Sequence, residues 1–297
     1  MNAGAEAREM ACPMCASKSA RLRFRDDPHA LFDCAECDLT YVSPRVPEGD
    51  LIEDVYGESY WRSTEPRNGG YEDYRADADL YRRTFARRWK GLERHFPATG
   101  RALEIGCAAG YFLEELLGRG WDVLGIEPSA PMAATARKRL GANRILQATL
   151  AQSELAARDF DLIVLWDVLE HLPDPVEALR KARSALRPGG KLIVETQNIR
   201  APFARLTGRR WHHFKHREHL VHFHRATLRE CFERANLRVL EMSARGAGKY
   251  VRGEFIVERS QRLHRSLPRI LRPLLGGSWS VYVNLGDELI AVAEADS

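Results

Sequence analysis

No stretch of this sequence reaches the ~18 consecutive apolar residues that a membrane-crossing helix requires, so no spanning helix is expected. The first residues, MNAGAEAREM, lack the apolar segment of a signal peptide, and the expected location is cytoplasmic. An excess of one charge is also lacking. Forty-five basic and 41 acidic residues leave a formal net charge of +4, too small to indicate nucleic-acid binding by itself. Internal repeats and low-complexity tracts are missing. The six cysteines would fit disulfides only in an oxidising compartment; in the cytoplasm, closely spaced pairs read as metal ligands or redox groups. With 44% hydrophobic residues, the chain can still bury a sizeable core.

Four of those cysteines form two pairs, CPMC (Cys12, Cys15) and CAEC (Cys34, Cys37), with 18 residues between them. Each C-x-x-C turn can aim two sulfurs at one ion, and two such turns complete a tetrahedron. The spacing therefore predicts a zinc ribbon over residues 1–45, with structural Zn2+ held by Cys12, Cys15, Cys34 and Cys37. RLRFRDD and ALFDC read as its short strands. Ala16 and Asp38 stand where many such turns place glycine. A redox dithiol and an iron site are the other readings of the same spacing. Cys107 and Cys231 are isolated and read as buried thiols.

Residues 46–98 read as a connector followed by one long amphipathic helix over 71–96. From residue 101 onward, short apolar runs alternate with helical stretches. The runs are 102–106, 122–127, 144–147, 161–166 and 191–196, followed by a helix starting near Thr227, a strand RVLEMS and a last strand over 288–295. Continuous apolar strands alternating with helices predict a parallel sheet covered on both faces.

The first run continues as LEIGCAAGYF, a strand ending in a glycine turn that opens a helix, the setting for a nucleotide-like ligand. Gly106 and Gly110 are read as allowing close backbone approach. A G-x-G-x-x-G fingerprint is absent, and Glu104 would repel a pyrophosphate but welcome an ammonium group. Glu127 ends the second strand, 21 residues after Gly106, where a carboxylate can hold two ribose hydroxyls. Together these suggest S-adenosylmethionine as the ligand.

LEIGCAAG, GIEPS, DFDLIVLWDVLEHLPDP and LRPGGKLIVE, in that order, resemble the motifs of class I S-adenosylmethionine-dependent methyltransferases over about residues 71–295. Ala108 replaces that family's middle glycine. The resemblance implies an α/β, Rossmann-like seven-stranded methyltransferase sheet, with the cofactor-binding domain over 99–297. It places Glu104, Gly106, Cys107 and Gly110 around the methionine part of the cofactor, Glu127 and Pro128 at the ribose, Thr149 and Leu150 at the adenine, and Asp167 beside the methionine. With the EHLVHFHRATL segment, the chain is similar to a bacterial subgroup that modifies sugars, quinone precursors and other small metabolites. Similarity to quinone O-methyltransferases marks His171 as the leading catalytic candidate. It also allows a divalent ion near Glu170 and His171, with Asp167 as a further matching position.

Six of the ten histidines crowd residues 212–224. Their position after the fifth strand predicts a loop over the acceptor pocket. His219 matches the histidine of that bacterial subgroup's E-H-L-x-x-F segment and by that resemblance ranks second to His171 as a catalytic candidate; a neutral imidazole can take a hydroxyl proton near neutral pH. His222 and His224 are lesser candidates, the latter at a helix-cap position. His212, His213 and His216 read as a solvated basic rim favouring an anionic acceptor, and His219 with His222 and Glu218 as a lesser zinc candidate. Residues 262–275 form a basic amphipathic stretch that could meet a lipid-linked acceptor, although Pro268 and Pro273 are expected to interrupt a single helix.

The leading functional reading is a methyltransferase acting on an oxygen or carbon of a small metabolite. The alternatives are an RNA base methyltransferase using the ribbon for RNA, and a non-catalytic binding protein. Against RNA, the N/D-P-P-Y/F turn usual in amino-directed nucleic-acid enzymes is replaced here by DVLEH.

Overall fold

The computed structural model describes residues 11–46, 49, 61, 76–260, 266–275 and 279–295. The expected helix over 71–96 is α1, Ala78–Leu92; its expected start lies outside the described residues. Seven strands form the central sheet: β4 (Arg101–Ile105), β5 (Asp122–Ile126), β6 (Ile145–Leu146), β7 (Phe160–Trp166), β8 (Leu186–Gln197), β10 (Leu237–Ser243) and β13 (Glu288–Ala295). Their order is β10-β13-β8-β7-β4-β5-β6. Strands β4 to β8 are parallel, and β13 runs antiparallel between β8 and β10. Residues 162–165 are wholly buried, as a strand covered on both faces demands.

One face is covered by α1, α2 (Tyr111–Gly118) and α3 (Ala130–Leu140). Its core includes Phe85, Trp89, Phe112 and Trp121, with ring centroids 5.5–6.1 Å apart where they meet. The other face holds α4 (Pro175–Ala185) and α6 (Arg225–Arg234). Asp174 caps α4 by accepting the Glu177 N–H at 2.9 Å, with Pro175 in the first turn. Strand β8 begins five residues before the expected 191, because its ladder with β7 continues through a register break between Phe160 and Leu162. Gly190 makes this possible: a Cβ there would lie 2.8 Å from the Phe160 carbonyl oxygen.

The N-terminal hairpin forms as expected from β1 (Ala20–Asp26) and β2 (His29–Cys34), joined by β3 (Thr40–Ser43). Its fourth strand comes from far along the chain. β9, Val221–His222, lies in the histidine-rich loop and pairs antiparallel with β3. The ribbon shares one buried core with the sheet face behind it, where Phe32, Leu39 and Tyr41 join Leu179 and Phe232. Ala16 and Asp38 take φ of 60° and 62°, so the chain adopts the left-handed turn that glycine would ease.

The remaining elements lie toward the carboxyl edge of the sheet. They are α5 (Pro202–Thr207), the hairpin β11 (Lys249–Arg252) and β12 (Ser280–Val283), and the packed pair α7 (Gly253–Ser260) and α8 (Leu267–Leu275). Pro273 does not interrupt α8 as expected. The helix runs through it to Leu275 at the loss of one backbone bond, while Pro268 falls in the first turn, where its missing N–H costs none. Ile270 and Leu274 are exposed on α8, while residues 261–265 lie outside the described residues.

Candidate active site

A cavity of about 1050 Å³ opens at the carboxyl ends of β4, β5 and β7. Glu104, Gly106, Cys107, Glu127, Pro128, Thr149, Leu150 and Asp167, all predicted cofactor residues, line it together with His171 and His219. Gly110 does not. It sits at φ 77°, and a Cβ there would meet Leu140 Cδ1 at 2.8 Å, so its role is helix packing rather than ligand approach.

The two acids at the strand ends are built differently. Glu127 is braced: its carboxylate accepts the Ala108 and Ser129 N–H groups, each at 2.8 Å, tying the first loop to the second strand. Burial pushes its carboxyl up to about 7, against the pull of those two bonds. Glu104 is 3% exposed, and its Oε2 has no hydrogen-bond partner. Burial, then the neighbouring Glu127, push its carboxyl well above the usual range. An orphaned buried carboxylate oxygen is costly unless a cation meets it. Glu104 and the adjoining Glu127 thus fit the ammonium and ribose groups of S-adenosylmethionine.

Across the cavity, Thr149 Oγ1 accepts the Gln152 N–H at 3.1 Å and caps a turn, with Leu150 beside it. Cys107 is a buried thiol whose sulfur packs where a side chain on Gly125 would go. Cys231 is buried as well. Asp167, at φ 52°, donates its N–H to the Glu195 carbonyl at 3.1 Å. Burial, then Glu288, raise its carboxyl.

His171 donates Nδ1–H to the Glu218 carbonyl at 2.9 Å, since a carbonyl can only accept; this leaves Nε2 as the ring's basic atom. Its ring meets His219 edge-on, centroids 4.7 Å apart. Burial pushes His171 down to about 4 and His219 further still, so both are neutral at physiological pH. Glu170 is fully buried and accepts from Thr196 Oγ1 at 2.9 Å. Donor atoms of Glu170, His171 and His219 lie within 4.8 Å of one another, whereas Asp167 falls outside that set.

The histidine loop departs from the expected solvated rim. His213 and His216 are 7% exposed and His212 is half-buried. The loop folds inward because β9 is held by β3 on one side and by Gln197 on the other, which donates to the Val221 carbonyl and accepts the Phe223 N–H. His216 lies 3.0 Å from Asp26, against Phe24 and Phe214. His222 is fully buried beside Gln197, away from the cavity. Among the described residues, His219, His222 and Glu218 form no metal-binding set; Glu218 instead faces Lys215 at 3.3 Å. Helix α6 starts at Arg225, two residues before the expected Thr227. His224 is its cap, accepting the Ala226 N–H, while Thr227 Oγ1 accepts the His224 N–H at 2.9 Å.

Several cavity groups escaped the sequence reading. Arg88 on α1 reaches the cavity and pairs with Glu195 at 2.7 Å. Asp287 and Glu288 open the last strand. The available signals were polar runs on otherwise apolar strands: ETQN after KLIV, and DE before LIAV.

In the N-terminal cluster, Cys12 and Cys37 sulfurs stand 3.5 Å apart, as do those of Cys15 and Cys34, and all four lie within 4.8 Å. Thiolates about 2.3 Å from one zinc have nearly these separations. The Cys37 thiol's hydrogen bond holds Cys12 down to about 5 against the effect of burial, which favours the thiolate a metal needs.

A parallel sheet with one antiparallel strand beside its edge, carrying acids at two adjacent strand ends over a large cavity, defines a Rossmann-like methyltransferase. The chain belongs to the methyltransferase domain family, whose model matches residues 73–242, more than half of the sequence; that domain is of the S-adenosylmethionine-dependent class. It is similar to a tRNA U34 carboxymethyltransferase of Desulfotalea psychrophila, 33% identical over 141 residues, covering 45% of this chain and 44% of that one. A ubiquinone biosynthesis O-methyltransferase of Xanthomonas axonopodis is 32% identical over 136 residues, covering 40% and 56%. The matches thus span about half the length of these relatives. In fold, the chain resembles an S-adenosylmethionine-dependent methyltransferase of Thermotoga maritima described as a possible histamine N-methyltransferase. The TM-score is 0.50 at 20% identity, covering 75% of this chain and 95% of that one.

Proposed function

We propose that this enzyme methylates an oxygen or carbon of a small metabolite carrying an ionisable hydroxyl, with His171 as proton acceptor and His219 as its partner. One observation carries this reading: a contacting pair of neutral imidazoles, His219 buried and His171 half-buried, opens onto the same cavity as Glu104 and Glu127. The cofactor, when bound, supplies an electrophilic methyl on a sulfonium. Glu104 would hold its ammonium group and Glu127, with Pro128, its ribose; Thr149 and Leu150 would border the adenine and Asp167 the methionine side. At about 1050 Å³, the cavity sits at the top of the roughly 300–1,000 Å³ range of ligand pockets, which leaves room for an acceptor beside the cofactor.

The acceptor's hydroxyl proton passes to Nε2 of His171, whose tautomer is set by the Glu218 carbonyl. We assign Glu170, His171 and His219 to proton transfer, although the set could also hold a divalent ion. Structural zinc at the four cysteines completes the reading. A tRNA acceptor, suggested by one relative, has against it that Glu170 and His219 are buried beside the half-buried His171, where a base would have to enter deeply.

The test is turnover of a panel of phenolic, enolic and sugar acceptors, alongside cofactor binding by calorimetry. His171→Ala should lower kcat by about 10²–10⁴ and leave cofactor affinity within about twofold. Turnover of tRNA with none of any small acceptor, or equal loss of kcat and cofactor affinity, would overturn the proposal.

A further inference from the structure

We propose that His212, His213 and Asp287 form a divalent transition-metal site on the acceptor side of the cavity, separate from Glu170, His171 and His219. Donor atoms of these three residues lie within 4.8 Å of one another. His212 Nε2 is 3.8 Å and His213 Nε2 is 4.0 Å from Asp287 Oδ2. Donors at about 2.1 Å from one ion in tetrahedral geometry are about 3.4 Å apart, so both imidazoles would approach Asp287 by about half an ångström on binding. Two imidazoles and one carboxylate, with the remaining positions open, suit Fe2+, Mn2+, Co2+ or Zn2+ better than Mg2+ or Ca2+.

Three further observations point to a ligand. First, His213 is 7% exposed, yet its Nε2 has no hydrogen-bond partner. That ring nitrogen stands between two carboxylates, 3.4 Å from Glu288 and 4.0 Å from Asp287, an arrangement that suits a shared cation. Second, Asp287 is held in place, since the same Oδ2 accepts the Trp211 indole N–H at 2.8 Å, and carboxylate ligands commonly carry such a hydrogen bond. Third, the local charge favours a cation. Asp287 and Glu288 bring two negative charges, and Lys249, 3.6 Å from Glu288, offsets one. Glu288 also stands 3.4 Å from His213 Nε2, close enough to act as a fourth ligand or to hold a metal-bound water.

All three residues line the same cavity as the cofactor acids. An ion there would take an anionic oxygen of the acceptor, such as a carboxylate, phosphate or ionised hydroxyl, in its open positions. That role rests on the small-acceptor reading; metal binding itself does not.

The experiment uses full-length protein with its cysteine cluster loaded with zinc, titrated with Co2+ and followed by calorimetry, visible spectroscopy and native mass spectrometry, without acceptor or turnover. The expected result is one Co2+ per chain, with d–d bands lacking thiolate charge transfer. His213→Ala, Asp287→Asn and the milder His212→Gln, a partly exposed position, should each weaken binding at least tenfold. His171→Ala and Glu170→Gln should leave it within about twofold. The proposal is overturned if no ion binds beyond the zinc, if His171→Ala or Glu170→Gln abolishes binding, or if His212→Gln and His213→Ala both retain it. Because no acceptor is present, failure of the proton-transfer assignment would leave this result untouched.

Discussion

Thr40 in the third strand of the cysteine-rich hairpin stands directly opposite His222 of the histidine loop in an antiparallel pair. The Val42 N–H donates to the Leu220 carbonyl at 2.9 Å, one residue beyond His219. The hairpin is therefore part of the wall behind the proposed base. The Leu220 N–H in turn donates to the Glu170 carbonyl at 2.8 Å, joining the hairpin, the loop and the end of β7 in one chain of backbone bonds.

Loss of the four-cysteine cluster should consequently act on the acceptor side first. Cys34→Ser/Cys37→Ser, or removal of zinc by a chelator, should lower turnover at least tenfold while changing cofactor affinity less than about threefold. Glu104 and Glu127 stand on β4 and just past β5 of the seven-stranded sheet, whereas β3 and β9 belong to the separate four-stranded sheet. Parallel calorimetry and steady-state kinetics check this; equal loss of both would show that the hairpin supports the whole domain instead.

Glu127 gives a pH dependence with a defined sign. Its carboxyl is raised from 4.5 to about 7 in the folded protein by burial. A raised carboxyl favours the folded state fully below its unfolded value, and that contribution is lost as pH rises through the folded value. Between about pH 4.5 and pH 7, ligand-free protein should therefore lose stability relative to Glu127→Gln, by roughly 3 kcal/mol at most. The comparison with the variant is essential, because burial lowers His171 and His219 and so destabilises the fold in the opposite direction as pH falls. Denaturant melts of both proteins across this window provide the measurement. A difference independent of pH would show that Glu127 stays ionised throughout.

Arg88 and Glu195 form an ion pair 4% and 0% exposed beneath the cavity. Removing one charge leaves the other buried without compensation. Arg88→Met should cost about 3–5 kcal/mol, whereas Arg88→Met/Glu195→Leu should recover most of that loss. Thermal or urea unfolding of both variants decides the matter. A double variant no more stable than the single one would mean that the arginine supports the fold mainly by packing against Trp166, whose ring centre is 5.2 Å from its guanidinium.

Much of the fold was legible in the chain, because each part rests on local physics. A strand buried on both faces must be a continuous apolar run, so the order of β4, β5, β7 and β8 could be read directly. Glu104 and Glu127 stood out because charge at the tip of such a run needs a reason, and the C-x-x-C pairs because two sulfurs two residues apart can reach one ion. Gly110 shows the limit of that logic: its place in the glycine turn was visible, but Leu140, which fills the space above it, comes from another helix.

The histidine loop was decided by tertiary structure alone. Imidazole is equally at home in water, at a helix cap, in a core or on a metal, and the spacing in RRWHHFKHREHLVHFH carries no period that separates these fates. Pairing of β9 with β3, and the grip of Gln197 on Val221 and Phe223, turned the loop inward. They buried His216 and His222 among aromatic rings and left His212, His213 and His219 facing the cavity, beside acids supplied by a strand more than sixty residues later. Local sequence determined what each strand and turn would be; contacts between distant segments, each satisfying backbone groups that the loop could not satisfy itself, decided which imidazoles would meet a substrate.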